Sequence, residues 1–181
     1  MSTSRASGTG SRAATGIDWF NHLPDDDVRE LLASCLAVQR WVDNIASGRP
    51  YGDNEDVAAQ ARQSARSLSD DELAAALARH PRIGQRLASG EAEAAQSARE
   101  QLGVGADEES LAALRKGNLA YEQRFNRVFL IRAAGRSADE ILSELERRLS
   151  NDETTERAET VAQLLEIALL RLDSALNRHP S

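Results

Sequence analysis

Cysteine is nearly missing from this chain. Cys35 is the only one, so no disulfide can form within the chain, and a reducing, cytoplasmic compartment is the simple expectation. It falls among apolar helix positions with no histidine nearby in sequence, which reads as a buried thiol rather than a nucleophile. Aromatic residues are only 4% of the chain against 41% for all hydrophobic types. The core therefore has to be built mostly from Leu, Ala, Ile and Val, enough for one modest helical core. Basic clusters are absent and the formal net charge is −7, a poor basis for binding nucleic acid. No apolar run nears the ~20 residues needed to span a bilayer, so no membrane contact is expected. No Cys/His cluster has metal-ligand spacing and no glycine loop could cradle phosphate, so neither a metal nor a cofactor is expected. The N-terminus shows no apolar signal region and the C-terminus no peroxisomal Ser-Lys-Leu.

What is present is helical pattern. Residues 1–16 are rich in Ser, Thr, Gly and Ala without periodicity, and are expected to be a disordered leader. Residues 17–177 are expected to form a single domain, with 178–181 as a tail. Pro24 and three carboxylates after it open a helix with Val28, Leu31, Leu32 and Cys35 inward. A second, from about Ala37 to Ser47, turns Trp41 and Ile45 inward; the sequence leaves open whether these two are one bent helix. Asp53 or Asn54 caps an Ala-faced third helix to about Leu68. Ser69-Asp70-Asp71-Glu72 is a capping box for a short helix that must stop near His80, because Pro81 follows. A helix is expected over 91–102. A long one to about Asn126 follows, with Leu111, Leu114, Asn118, Tyr121 and Phe125 on one stripe. Val128 to Ile131 reads as an extended, buried connection. Ser137 opens a helix with Ile141, Leu145 and Leu149 inward. The last helix, 152–176, carries its main stripe on Val161, Leu165, Leu172 and Leu176. The sum is all-α: one irregular multi-helix bundle of about eight helices with no convincing strand.

Few residues look able to carry chemistry. His80 sits at a helix end just before a proline, where its protonation can be tuned for general acid–base work. The plainer reading is a terminal histidine satisfying a free carbonyl, and Arg178-His179-Pro180 repeats the same tripeptide in the tail. Ser97, Glu100 and Gln101 share one helix face, a pattern that usually means a solvated surface. Arg171 sits beside Leu164, Ala168 and Ala175. It could seek a carboxylate or snorkel at the core edge. Asn118 is an amide on an apolar stripe and needs partners.

Several short stretches occur in the order found in one family. They are Phe20-Asn21-His22-Leu23-Pro24, Arg40-Trp41, Arg49-Pro50-Tyr51 and His80-Pro81-Arg82-Ile83-Gly84. Ser97-Ala98-Arg99-Glu100-Gln101, Asn118-Leu119-Ala120-Tyr121 and Leu170-Arg171-Leu172 follow. In this combination the chain, from about Phe20 to Leu172, resembles the OHCU decarboxylases. The resemblance implies cofactor-free decarboxylation of 2-oxo-4-hydroxy-4-carboxy-5-ureidoimidazoline to (S)-allantoin in urate breakdown. It implies His80 as the catalytic acid/base with Glu100, and Pro81, Ser97, Gln101 and Arg171 against the substrate. It further implies substrate contacts from backbone amides around Phe129, Leu130 and Ile131, and a homodimer. The Arg127-Val128 run departs from the animal and plant form and looks bacterial. The competing reading is a non-catalytic helical module that kept the fold.

Overall fold

The computed structural model describes residues 16–80, 83, 108–133 and 135–178. Among them are eight α-helices and no strand: α1 (Gly16–His22), α2 (Asp25–Cys35), α3 (Gln39–Ala46), α4 (Asn54–Ala65), α5 (Asp70–Leu77), α6 (Glu108–Phe125), α7 (Ala138–Arg148) and α8 (Glu153–Asn177). The number matches expectation, but the membership differs. The chain already turns helical at Gly16, so α1 adds an element, while the helix expected over 91–102 and the leader lie outside the described residues.

α8 is the spine. α1, α2 and α4 pack on it, and α3 bridges α2 and α4. Leu36 and Val38 are extended and buried between α2 and α3, so these are two helices rather than one bent helix. A large apolar cluster joins α1 to α5 with α8, from Phe20, Leu32, Trp41 and Ile45 to Leu164 and Leu172. A second, smaller cluster joins α6, α7 and the segment between them through Leu114, Tyr121, Phe125, Phe129, Ile131, Ile141 and Leu145. α6 and α7 approach closely at Gly117, where a Cβ would lie 2.5 Å from the Leu145 side chain. α6 stops at Phe125 because Asn126 takes the left-handed conformation, φ 49°, which asparagine tolerates and a helix cannot continue through. The following residues form no regular secondary structure, and Phe129, Leu130 and Ile131 are buried, as a buried connection requires.

The face of α8 is a correction. Val161 and Leu165 are only partly buried. The buried line is Glu156, Thr160, Leu164, Ala168, Leu172 and Leu176, at strict i+4 spacing. It begins with two polar residues, so an apolar-periodicity reading slides to the neighbouring stripe. Likewise Arg148, not Leu149, completes the buried face of α7.

Local chemistry explains the ends. Ser69 and Ser137 both form complete capping boxes, with Glu72 and Glu140 returning to the cap amide. Glu72 serves twice. Its carboxylate also takes the Arg40 guanidinium at 3.0 and 2.9 Å. Arg40 chiefly, and the Ser69 amide next, hold its pKa down at about 2. A depressed carboxylate stabilises the fold above its ordinary pKa and loses that contribution as pH falls through the folded value. Because Arg40 is 39% exposed, screening limits the pair to about 1 kcal/mol. Glu72→Gln is therefore expected to lower stability near neutrality, with the gap from wild type closing between pH 4.5 and about 2. Urea titrations at several pH values measure it, and a gap that does not change with pH refutes it.

Candidate active site

α5 ends in a tightening turn: the amides of Arg79 and His80 reach the Ala76 and Leu77 carbonyls at 3.3 and 2.9 Å. This brings the His80 ring back over its own helix. Nδ1 lies 2.9 Å from the Ala76 carbonyl. A carbonyl can only accept, so Nδ1 carries a proton and donates it. In the neutral ring the free lone pair then belongs to Nε2. That atom is buried and has no hydrogen-bond partner among the described residues. A buried, unpaired ring nitrogen costs free energy unless something else uses it. It has the state that a base aimed at a ligand requires.

The chain beyond His80 is tied down on a different helix. Asn118 Nδ2 donates to the Ile83 carbonyl at 2.8 Å, which explains the amide on the apolar stripe of α6. The Ile83 side chain packs against the cluster that contains Phe129 and Ile131. The chain three residues past His80 thus meets the segment after α6 in one small core. Asn118→Leu leaves that carbonyl unsatisfied. It is expected to cost about 1–3 kcal/mol and to raise KM as the loop loosens. An unchanged melting temperature with unchanged KM would count against the tether.

The segment itself has spare donors. Among the described residues, no acceptor meets the amides of Phe129, Leu130 or Ile131, whereas Arg132 N–H donates to Gln163 at 2.9 Å. Backbone donors in a buried stretch are normally paired. Three successive unclaimed amides suit an anionic or carbonyl-bearing ligand.

With this geometry in view, the comparison with known families is decisive. The profile of the OHCU decarboxylases matches residues 21–173. The chain belongs to the OHCU decarboxylase family. As a member it is a carboxy-lyase. It is similar to the 2-oxo-4-hydroxy-4-carboxy-5-ureidoimidazoline decarboxylase of Haloferax volcanii, 24% identical over 157 residues, 86% of this chain and 93% of that one. Its fold is that of a crystal structure of an OHCU decarboxylase in the presence of (S)-allantoin (TM-score 0.69, 20% identity, 87% of this chain and all of that one). An (S)-allantoin synthase structure is also similar (TM-score 0.66, 15% identity), covering 88% of this chain and 53% of that one.

Most stretches that signalled the OHCU decarboxylase family turn out to hold the scaffold. Asn21 and Tyr51 exchange two side chain–backbone hydrogen bonds, at 2.8 and 2.9 Å. Arg49 donates to the Phe20 and Leu23 carbonyls. The indole of Trp41 reaches the Ala61 carbonyl at 3.0 Å. These bonds clamp α1 and the α1–α2 turn to the chain around α3 and α4. Cys35 is buried, and burial pushes its thiol pKa up, as fits an inert thiol.

Of the expected site residues, His80 ends α5, and Phe129, Leu130 and Ile131 are buried in the segment after α6. Pro81, Ser97, Glu100 and Gln101 lie outside the described residues. Arg171 is elsewhere. It is exposed and donates to the Cys35 carbonyl at 3.1 Å, closing the end of α2. Arg157, earlier on α8, binds Asp70 at the start of α5; at ~1.5 Å per residue, Arg171 lies ~20 Å further along the helix. Among the described residues it touches neither His80 nor the 129–131 segment. The snorkelling alternative fits it: a long side chain leaves the core edge to find a helix-end carbonyl.

Sequence reasoning missed the strongest polar feature. Arg148, Glu156 and Thr160 are fully buried, with Tyr121 beside them. Arg148 Nε and Nη2 meet Glu156 Oε1 at 3.0 and 2.5 Å. Its Nη1 donates to the Leu130 carbonyl at 2.8 Å. The Tyr121 hydroxyl also bonds Glu156. Burial and that carboxylate push its pKa up to about 12. The only sequence signal was Glu156 and Thr160 falling in line with the apolar positions of α8.

Proposed function

We propose that this protein decarboxylates 2-oxo-4-hydroxy-4-carboxy-5-ureidoimidazoline to (S)-allantoin, a step of urate breakdown, with His80 as general acid/base. The observation that carries the reading is the buried His80 Nε2, which has no partner among the described residues, three residues before Ile83, which packs on the cluster of Phe129 and Ile131. In this reaction the ring-carbon–carboxylate bond breaks and carbon dioxide leaves. The electron pair left behind is delocalised into the conjugated ring, so its developing charge lies on ring oxygens. The amides of Phe129, Leu130 and Ile131 would hold that charge. Nε2 takes a proton from the substrate and then returns one to the carbon from a single face, which sets the product's handedness. Glu100 assists this transfer, and Pro81, Ser97 and Gln101 line the substrate. These four assignments rest on the family resemblance. Arg171 donates to the Cys35 carbonyl, and the proposal gives it no substrate contact. A cytoplasmic homodimer completes the proposal.

The test is stereochemical. Urate is oxidised and hydrolysed in situ, and the solution is followed by circular dichroism together with carbon dioxide release. Uncatalysed decay yields racemic allantoin, so a persistent optical signal with matching carbon dioxide supports the proposal. A racemic product at the uncatalysed rate would leave a non-catalytic helical module, and turnover without carbon dioxide would indicate a different cyclic-ureide enzyme. Sedimentation analysis checks the dimer.

A further inference from the structure

We propose that Arg148 is a positioning residue for the substrate, acting through the peptide plane between Leu130 and Ile131. This rests on the reading above, that the 129–131 amides bind the substrate. The guanidinium is 1% exposed and its donors are shared out. Nε and Nη2 engage Glu156, Nη2 also reaches Thr160 at 3.1 Å and the Tyr121 hydroxyl at 3.3 Å, and Nη1 binds the Leu130 carbonyl. Its carbon centre also sits 4.8 Å from the centre of the Phe129 ring, within cation–π range. One cation thus holds two consecutive residues of the segment.

The consequence follows from peptide geometry. The Leu130 C=O and the Ile131 N–H belong to one planar, trans unit and point in opposite directions. Fixing the carbonyl toward Arg148 aims the Ile131 amide the other way, out of the polar network, where no described residue accepts from it. Glu156, in turn, fixes Arg148. It is held by Tyr121 and by Asn151 Nδ2 at 2.8 Å. A salt bridge in the core would thereby set the direction of a donor at the site. A purely structural ion pair would have no reason to bond that one carbonyl rather than its own helix ends.

The experiment uses the full-length protein. The test variant is Arg148→Met with Glu156→Gln, which removes both charges together and keeps an acceptor for Tyr121. The control is Trp41→Phe, which loses the buried indole bond to the Ala61 carbonyl in the other apolar cluster but leaves Arg148 and its partners untouched. The double variant is expected to lose about tenfold or more in kcat/KM. Its affinity for (S)-allantoin should fall in parallel. Trp41→Phe is expected to melt earlier yet keep kcat/KM within about twofold. A double variant with a lowered melting temperature and near-normal kcat/KM overturns the proposal. If it does not fold, the wild type decides by amide NMR. Saturating (S)-allantoin should move the Ile131 N–H resonance, and no movement overturns the proposal. Wild-type protein without decarboxylase activity would instead overturn the underlying functional reading.

Discussion

Replacing His80 by Ala is expected to lower kcat by ~10²-fold or more. The melting temperature should change by only a degree or two. The loss in rate follows from removing a buried ring nitrogen that has no partner among the described residues. The small stability change follows from what else the ring does, a single hydrogen bond to the Ala76 carbonyl at a half-buried helix end. That bond has a second consequence. With Nδ1–H committed to a carbonyl, proton transfer must run through Nε2 in both directions. Near-normal turnover in His80→Ala would remove the imidazole from the mechanism.

Arg148→Ala is expected to be the most destabilising single change, by about 3–5 kcal/mol. For a domain of this size that is a fall in melting temperature on the order of 10 °C. The cost comes less from lost attraction than from what remains behind. Glu156 is 0% exposed. Without the guanidinium it must stay charged in an apolar surround or take up a proton, and the Leu130 carbonyl loses its donor as well. Removing both charges, as in Arg148→Met with Glu156→Gln, should recover part of the loss. Thermal denaturation of the two variants side by side measures this. Equal losses in both would show that the buried charge is not the cause.

The family, the helical class and most helix starts were legible before any coordinates, because each is written in neighbouring residues. Ser69 with Glu72 and Ser137 with Glu140 close reciprocal capping boxes within four residues. The buried positions of α6 follow a single helical stripe, Asn118 included. Even the irregular run from Val128 to Ile131 announced itself as too short and too apolar to be a surface loop. α1 was harder to see. It spans seven residues and its ends are held by residues distant in the chain, Asn21 by Tyr51 above all. Arg171 was ambiguous for the opposite reason. A guanidinium beside an apolar stripe suggests a buried partner, but a long side chain can leave the stripe and cap another helix.

By itself the sequence determined where helices begin and stop, which family the chain belongs to, and that His80 ends a helix before a proline. Those properties depend on contacts within a turn or two, and short-range sterics and hydrogen bonding settle them. Only the tertiary structure decided which face of α8 is buried. It also set Arg148 on Glu156 and Leu130 and joined Asn118 to the Ile83 carbonyl. These last are pairings of polar groups across 8 to 35 residues. Such pairs satisfy one another only once the helices are packed, and nothing in the periodicity of either partner specifies the other.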